Sequence, residues 1–335
     1  MELGTENAKI ETDMSCAERF AVVIPCYKVE EKILSVIHNI PDCVDFIIAV
    51  DDCSPDSTYA ILQTEAETNP RLTIVHHSKN QGVGGSMVSG FKKALELKAD
   101  IIVKLDGDGQ MNSDYIPKML QILSNESYDY VKGNRFFNRP NINKMPVIRR
   151  IGNMGMGFFI KMASGYWHIS DPANGYFAVR RETLQRINLR NLAKRFFFES
   201  SLLIELYYTG ARIRDISMPA IYGSEKSNLS IVKTLLTFPP KLMKAHIKRI
   251  LLRYFIYDFN INSLYILTGF PLFLFGLIFG ICKWVHFAHL GVAAPTGTVM
   301  IAVLGLVLGF QIILASIQYD LTAPNPFEHI NEGEL

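Results

Sequence analysis

The sequence has few of the features that mark disulfide-rich, secreted or nucleic-acid-binding proteins. Its five cysteines form no CxxC pair, which indicates reduced thiols rather than a disulfide framework or a zinc site. The formal net charge is only +2, so the overall charge gives no reason to expect a nucleic acid partner. Residues 1–18 lack the apolar run of a signal peptide, and we expect them to form a disordered lead-in.

The composition is intermediate between that of a soluble enzyme and that of a multi-span carrier. Apolar residues make up 49% and charged residues 20% of the 335 residues, and the mean hydropathy is +0.15. Such an average is typical of a chain that joins two regions of different composition. The length is sufficient for one large or two smaller domains with a buried core.

The first two-thirds of the chain alternates short β-branched runs with helical patterns. The predicted strands are 20–24, 46–50, 72–76 and 100–105, and the predicted helices lie near 30–39, 57–68 and 83–98. This alternation predicts an α/β fold with a mostly parallel, Rossmann-like sheet covered by helices on both faces. Such sheets bind ligands at the carboxyl ends of their strands.

A pair of carboxylates follows the fourth predicted strand. Asp106 and Asp108 are separated by one residue, and Gln110 comes two residues later. Hard oxygen ligands at this spacing suit Mg²⁺ or Mn²⁺, which would neutralise a diphosphate leaving group. The alternative is a polar turn, because Asp and Gly are common in turns.

Other polar clusters follow the earlier strands. Pro25 and Tyr27 end the first strand, and Asp51-Asp52-Cys-Ser54 follows the second at a helix start, where backbone N–H groups can hold ligand atoms. A glycine-rich turn at 80–90 opens the next helix and allows close backbone approach to a ligand. The turn matches neither GxGxxG nor a P-loop, so it indicates neither a dinucleotide nor an NTPase.

Taken together, these motifs over residues 19–225 resemble the family 2 glycosyltransferases of GT-A fold. The likeness is strongest to the polyprenyl-phosphate group that includes dolichol-phosphate mannose synthase and undecaprenyl-phosphate glucosyltransferase. The resemblance implies that Pro25, Tyr27 and Asp51 hold the base and ribose. The full predicted donor site is Pro25, Tyr27, Glu30, Asp51, Asp52, Ser54, Gly82 and Asp106, and the predicted metal ligands are Asp106, Asp108 and Gln110.

Two departures from the family pattern bear on substrate identity. The family carries a Glu soon after the Tyr, and Glu30 is its displaced equivalent here. The family also ends its catalytic domain with Arg, Gly and Ser-Lys, whereas this chain has Tyr222-Gly-Ser-Glu225-Lys226. The donor sugar and the acceptor are therefore less well predicted than the reaction class.

Asp108, Asp171 and Arg135 are the predicted catalytic residues. A sugar hydroxyl acceptor would need a general base, for which Asp171 is the candidate. A lipid monophosphate, with a second pKa near ~6, is already anionic at neutral pH. In that case Asp171 positions other groups and Arg135 orients the phosphate. Glu199 begins a helix, where a functional role and a simple stabilisation of the helix dipole are both open.

The last third of the chain has the composition of a membrane anchor. Residues 226–257 contain seven Lys or Arg and no acid, as in a basic amphipathic helix, and Pro239-Pro240 divides this stretch. We expect the basic side chains at headgroup level and the apolar ones in lipid. The predicted headgroup residues are Lys241, Lys244, Lys248, Arg249 and Arg253, and the predicted lipid-facing ones are Met243, Ile247, Ile250 and Tyr254.

Two uncharged runs follow within residues 258–320. They predict transmembrane helices at about 260–282 and 296–318, and residues 321–335 form a tail. The basic stretch before the first span places the catalytic domain and both termini in the cytosol of a multi-pass inner-membrane protein.

The sequence thus predicts an inverting, metal-dependent hexosyltransferase with a UDP- or GDP-sugar donor and a polyprenyl phosphate acceptor at the membrane. One alternative is a membrane transferase that extends a lipid-linked saccharide or glycolipid. Another is a catalytically silent scaffold or a carrier subunit, which the uncharged spans and the intact Asp106/Asp108 pair disfavour. The resemblance also implies a homo-oligomer, namely a tetramer.

Overall fold

The computed structural model describes residues 18–135, 147–218 and 231–328. The strands are β1 (Phe20–Cys26), β2 (Phe46–Asp51), β3 (Leu72–His76), β4 (Ile101–Lys104), β5 (Tyr130–Asn134), β6 (Phe177–Arg180) and β7 (Ile213–Ser217). The helices are α1 (Ile33–His38), α2 (Thr58–Thr68), α3 (Val83–Glu96), α4 (Ile116–Asn125), α5 (Val147–Ser164), α6 (Arg181–Arg186), α7 (Phe198–Tyr208), α8 (Ile231–Leu251), α9 (Ile261–His289) and α10 (Thr296–Thr322).

The seven strands form one sheet in the order β3-β2-β1-β4-β6-β5-β7. Strands β1 to β4 are parallel, β6 is antiparallel to both β4 and β5, and β7 is parallel to β5. The predicted mostly parallel α/β sheet is therefore confirmed. The reversed strand β6 brings the residues that precede it to the edge where β1, β2, β4 and β5 end, because Phe177 lies opposite both Lys104 and Lys132.

Both faces of the sheet are buried, as expected for parallel strands covered by helices. Alternate residues of β1 and β2 contribute to two separate apolar layers, one packed with α3 and α7 and the other with α1 and α4. The first layer includes Ala21, Val23, Ile48, Val50, Phe91 and Phe198. The second includes Val22, Ile24, Ile47, Ile33, Met119 and Leu120. This double burial makes the strands a rigid support for the loops at their carboxyl ends.

Helix α8 lies in the basic stretch and packs against α5. It runs without interruption through Pro239 and Pro240, where the sequence predicts a division. The two prolines remove two N–H donors from the helix, at a place where the neighbouring Leu236 is 71% exposed. A π-helical turn, Leu252–Tyr257, follows α8.

Helices α9 and α10 are long and apolar enough to cross a membrane, and most of their surface is exposed. They pack antiparallel as a hairpin and extend beyond the predicted limits of the spans. Glycines allow the two backbones to approach closely. A Cβ atom at Gly276 would lie 2.4 Å from the backbone nitrogen of Leu306, and one at Gly309 would lie 2.4 Å from that of Phe273. Small residues are common at such contacts between membrane helices.

The chain that leaves α10 returns to the globular part of the protein. Asp320, in the last turn of α10, accepts hydrogen bonds from Arg249, Arg253, the Tyr254 hydroxyl and the Trp167 indole. Farther along, Phe327 packs in the main core between aromatic rings of α7. The segment that enters α9 and the segment that leaves α10 are therefore both attached to the globular part of the protein.

This attachment corrects part of the expected membrane placement. Arg249 and Arg253 are buried against Asp320 instead of lying at headgroup level, because a carboxylate on α10 neutralises them. Tyr254 is also buried, since its hydroxyl donates to the same carboxylate. Met243 and Ile247 remain exposed, in agreement with the expected apolar outer face of α8.

Candidate active site

A cavity of about 610 Å³ lies where β1, β2 and β4 end. Its wall contains six of the predicted donor-site and metal-site residues, Pro25, Tyr27, Asp52, Gly82, Asp106 and Asp108. The strands converge at this edge of the sheet, which explains how residues far apart in sequence come together. The structure therefore brings most of the predicted donor residues to a single cavity, which we call the donor cavity.

Asp52 organises the glycine-rich turn beside the donor cavity. Its carboxylate accepts from the backbone nitrogens of Gln81 and Gly82 at 2.8 and 2.7 Å, and it lies 2.7 Å from His77 Nδ1. Gly82 has φ +84°, and a Cβ atom there would lie 2.7 Å from the Lys194 carbonyl oxygen. Both carboxylate oxygens of Asp52 are thus used within the protein, so its contribution to the site is to hold the turn in place.

Ser54 and Glu30 join the loop after β1 to the loop after β2. Ser54 Oγ accepts from the Lys28 backbone nitrogen at 2.7 Å and donates to Asp56. Glu30 Oε2 accepts from the Ser57 backbone nitrogen at 2.9 Å. Glu30 lines a cleft next to Asp108, outside the donor cavity, and Ser54 lines neither cavity. These contacts fix the shape of the loop that carries Tyr27.

Asp51 is fully buried at the end of β2. Its Oδ2 lies 2.9 Å from His76 Nδ1, and the His76 ring packs on Tyr59 with a centroid distance of 4.3 Å. Its Oδ1 has no hydrogen-bond partner among the described residues. Asp51 is not part of the donor-cavity wall, so the base-binding role implied by the resemblance stays a prediction.

Lys104, Asp106 and Glu199 form a cluster of charges at the inner end of the donor cavity. Lys104 Nζ lies 2.7 Å from Asp106 Oδ1 and 3.5 Å from Glu199 Oε1. Burial acts to lower the pKa of Lys104, but the two carboxylates outweigh it and the pKa lies above its ordinary value. Burial raises the pKa of Glu199, and Lys104 offsets only part of this effect.

A second cavity of about 450 Å³ meets the first at this cluster. The two cavities share Asp106, Asp108, Phe196 and Glu199. The second cavity is also lined by Gln110, Arg135, Asn174 and, from α5 and α8, by Met156, Ile160, Thr234 and Phe238. We call it the acceptor cavity. Two of the three predicted metal residues, Asp106 and Asp108, thus lie at the junction of the two cavities, and Gln110 lines the acceptor cavity alone.

Arg135 and Asp171 form a bidentate ion pair beside the acceptor cavity. Arg135 Nε donates to Asp171 Oδ2 at 2.7 Å, and Nη2 donates to Oδ1 at 3.1 Å. Burial by itself would raise the pKa of Asp171, but the hydrogen bonds and charge of Arg135 hold it below its ordinary value. Arg135 lines the cavity and Asp171 lies behind it, so Asp171 is placed to orient the guanidinium.

Several residues of the site are not predicted from the sequence. Lys104 is a buried charge at the end of the otherwise apolar strand β4, and a charged residue in such a position is the signal that could have identified it. Asn174 is 4% exposed, lines the acceptor cavity, and its Nδ2 has no hydrogen-bond partner among the described residues. Asn174 lies in the segment Asp171–Phe177, which resembles the family's Asp…Gly-Phe acceptor-site segment, but the sequence does not single it out there. It reaches the site through the antiparallel pairing of β6. Glu199 lines both cavities and lies 3.5 Å from Lys104, so its contacts are not limited to the helix dipole.

The carboxylate pair fits a divalent metal only in part. Asp106, Asp108 and Gln110 line the acceptor cavity and carry hard oxygen atoms, the ligands that Mg²⁺ and Mn²⁺ prefer. Within residues 18–135, 147–218 and 231–328, no group of three or more His, Cys, Asp or Glu side chains is arranged to hold a metal. These described side chains therefore do not make a complete metal site by themselves, and the metal role of Asp106, Asp108 and Gln110 stays a prediction.

The fold is an α/β fold of GT-A type, with a carboxylate pair between two cavities. The sequence profile of Glycosyl transferase family 2 matches residues 21–187. The chain belongs to this family of glycosyltransferases.

Curated relatives carry related names. The chain is 34% identical over 215 residues to UDP-N-acetylglucosamine–dolichyl-phosphate N-acetylglucosaminyltransferase of Methanococcus voltae, a match that covers 60% of this chain and 85% of the relative. It is 26% identical over 220 residues to undecaprenyl-phosphate mannosyltransferase of Micrococcus luteus, covering 64% and 89%. These relatives are named for sugar transfer to polyprenyl phosphates.

Solved structures confirm the fold. Glucosyl-3-phosphoglycerate synthase from Mycobacterium tuberculosis, in complex with Mn²⁺, UDP and glucosyl-3-phosphoglycerate, aligns with a TM-score of 0.52 at 18% identity. The alignment covers 70% of this chain and 80% of the synthase.

Proposed function

We propose that this protein transfers a hexose or modified hexose from a UDP- or GDP-sugar to a polyprenyl phosphate at the cytosolic face of a membrane. The observation that carries the proposal is the junction of donor and acceptor cavities at Asp106, Asp108 and Glu199. A nucleotide-sugar in the first cavity would present its sugar to an acceptor in the second. The reacting atoms would then meet beside the carboxylate pair.

The character of the acceptor cavity supports a lipid phosphate. The Arg135 guanidinium lines the cavity and its charge suits a phosphate, although its Nε and Nη2 donate to Asp171. The Nδ2 of Asn174, which has no partner among the described residues, adds a neutral donor. The outer wall comes from α5 and α8, which expose Phe158 and Met243 on their outer surfaces. A charged head could therefore bind inside while an apolar chain leaves toward a lipid environment.

The proposed reaction is a single displacement. A phosphate oxygen of the acceptor attacks the anomeric carbon, the bond from that carbon to the diphosphate oxygen breaks, and the nucleoside diphosphate leaves with the electron pair. The anomeric centre is inverted. No proton has to be removed from the acceptor, because a phosphate monoester is already anionic at neutral pH. The Arg135–Asp171 pair would position the phosphate.

A divalent cation would supply charge neutralisation to the leaving diphosphate. Asp106, Asp108 and Gln110 are the residues that would hold it, with the diphosphate completing its oxygen ligands. The M. tuberculosis synthase complex contains both Mn²⁺ and UDP, which supports this assignment on a related fold.

The membrane arrangement is part of the proposal. Helices α9 and α10 would cross the bilayer as a hairpin, and the basic residues of α8 would keep the catalytic domain and both termini on the cytosolic side. Two relatives are named for acceptors that are membrane lipids, which supports this location. The segment 222–230, which departs from the family's pattern, lies outside the described residues.

The test offers the purified full chain a panel of radiolabelled UDP- and GDP-sugars with undecaprenyl phosphate. We expect one label to enter the organic phase. Undecaprenol, which lacks the phosphate, serves as the matched acceptor control and should take up no label. Transfer to a lipid-linked saccharide, with none to undecaprenyl phosphate, would replace the proposal with the alternative in which Asp171 is a general base.

A further inference from the structure

We infer that Lys104 and Glu199 make divalent metal binding at Asp106 conditional on a bound nucleotide diphosphate. The inference rests on the proposed function, because it assumes a nucleotide-sugar donor and a metal at Asp106 and Asp108. It concerns the order in which the two ligands enter the donor cavity. Lys104 acts as a positioning residue in this scheme, since it acts through Asp106.

Lys104 cannot withdraw from Asp106. It lies at the end of β4, in a central part of the sheet, with Val23 of β1 and Phe177 of β6 as its neighbours. Its side chain is 1% exposed, and its Nζ lies 2.7 Å from Asp106 Oδ1. One oxygen of a proposed metal ligand is thus held by a fixed ammonium group.

Beside Asp106 and Glu199, Gly175 also lies close to this ammonium group. A Cβ atom at residue 175 would lie 2.6 Å from Lys104 Nζ and 3.2 Å from Glu199 Oε1. Gly175 therefore leaves room for the lysine and glutamate to meet, and any larger residue would push them apart. Lys104 and both carboxylates line the donor cavity, so the pair faces ligand instead of the apolar core.

The position of the fixed charge determines how free metal ions bind. A divalent cation on Asp106 would lie close to the Lys104 ammonium, and their repulsion is stronger in a partly buried site than in water. A nucleotide diphosphate attracts both cations and removes this penalty. Free metal should therefore bind weakly and metal with nucleotide should bind tightly. The coupling is reciprocal, so the metal must strengthen nucleotide binding by the same factor.

Glu199 moderates this repulsion. Its carboxylate lies 3.5 Å from Lys104 Nζ and shares the lysine with Asp106. Removing the Glu199 charge leaves Lys104 compensated by Asp106 alone and makes the site less attractive to a cation. Removing the Lys104 charge has the opposite effect. The two substitutions should therefore shift metal affinity in opposite directions.

The test measures Mn²⁺ binding to the full chain in lipid nanodiscs. Electron paramagnetic resonance reports free Mn²⁺, with no nucleotide, with UDP and with GDP, each against a protein-free blank. We expect the effective nucleotide to tighten Mn²⁺ binding to wild type on the order of 50-fold, within the usual range of coupling between sites. Lys104→Met should tighten nucleotide-free binding by about tenfold, and Glu199→Gln should weaken it several-fold.

Lys93→Met is the matched control. Lys93 and Glu96 form a surface pair with a 3.2 Å separation near the far end of α3, so this change removes the same charge away from the site. Its Mn²⁺ affinity should equal that of wild type. A tightening as large as that of Lys104→Met would mean that overall charge sets the affinity and would overturn the inference.

The remaining outcomes separate the inference from the proposed function. Nucleotide-dependent Mn²⁺ binding in wild type, with nucleotide-free affinity unchanged in Lys104→Met, overturns the inference alone. No Mn²⁺ binding by wild type with either nucleotide overturns the metal assignment and the inference with it. If circular dichroism shows that Lys104→Met is unfolded, Glu199→Gln decides, and unchanged or tighter nucleotide-free binding in that variant rejects the inference.

Discussion

Arg249 and Asp320 are joined by two hydrogen bonds, from Nη1 to Oδ1 at 2.9 Å and from Nη2 to Oδ2 at 2.7 Å, across 71 residues of sequence. Arg249 belongs to α8 and Asp320 to the last turn of α10, and both side chains are buried. Trp167 of the globular part donates to the same carboxylate at 3.2 Å. Together with Trp167, the pair therefore connects the end of α10 to α8 and to the globular part of the protein.

Asp320→Asn should destabilise this connection. The change leaves Arg249 and Arg253 buried without their counter-charge, and breaking such a buried pair typically costs about 3–5 kcal/mol. We expect a clear fall in the thermal unfolding midpoint in detergent, and a larger loss of transfer to lipid acceptor than of nucleotide-sugar binding. Asp258→Asn, at an exposed carboxylate, is the matched control. If the Asp320→Asn protein were as stable as wild type, the ion pair would not be what holds the hairpin in place.

Asp106→Ala and Asp108→Ala should each remove most of the transfer activity. The losses follow because the leaving diphosphate would no longer be neutralised, and removing one group that stabilises transition-state charge typically costs about 10²–10³ in kcat. Transfer rates with Mg²⁺, with Mn²⁺ and in excess EDTA test the prediction, and circular dichroism checks the fold. Full turnover in EDTA would exclude a metal role for this pair.

The strands and the carboxylate pair could be predicted from the sequence because both are local. A buried strand requires a run such as Phe46–Val50, and Asp106 and Asp108 follow such a run directly. The predicted metal pair and most of the predicted donor residues consequently lie on one cavity wall, as the pattern of polar residues after strands indicates. Local patterns therefore indicate which residues share this cavity, while their roles stay predictions.

Arg135 and the segment Asp171–Phe177 are predicted on the acceptor side from the sequence, but the shape of the acceptor cavity is not, because tertiary contacts build it. Asn174 and Gly175 reach the cavity only because β6 reverses direction between β4 and β5. The burial of Arg249 likewise depends on Asp320, which has no local relation to α8. A basic residue on an amphipathic helix has the same local pattern whether it faces headgroups or a distant carboxylate.

The exposed basic side chains of α8 lead to a further prediction. Lys241, Lys244 and Lys248 are all exposed, and Lys241 and Lys248 also lie over the rings of Phe197 and Tyr208 at 5.4 and 5.2 Å. Each basic residue near an anionic membrane contributes about 1 kcal/mol. Changing the three lysines together to Glu should leave the protein in the membrane fraction but lower transfer in anionic liposomes much more than donor binding.

A triple change of the same lysines to Gln separates the loss of the positive charges from the repulsion that Glu adds. It removes the ring contacts and the charges without adding repulsion, so its transfer rate should lie between those of wild type and the Glu variant. Wild-type transfer by the Glu variant in anionic liposomes would mean that α8 does not orient the active site at the membrane.

Asp171 provides the prediction that separates the two acceptor classes. Arg135 holds the pKa of Asp171 below its ordinary value, so the carboxylate is ionised throughout the neutral range. A depressed pKa stabilises the folded protein at pH values above the ordinary carboxyl value of about 4, and this stabilisation is lost as the pH falls through the folded-state pKa. Titration of Asp171 should therefore change neither the transfer rate nor the stability of the folded protein between about pH 7 and 9.

If the acceptor is a lipid phosphate, Asp171→Asn should keep appreciable activity, with the loss appearing mainly in the KM for lipid because Arg135 is less well oriented. The wild-type rate should fall only below about pH 6, where the phosphate itself becomes protonated. Rate against pH for both proteins, with donor binding measured alongside, provides the test. A nearly inactive Asp171→Asn protein that binds donor normally would identify Asp171 as a general base and the acceptor as a sugar hydroxyl.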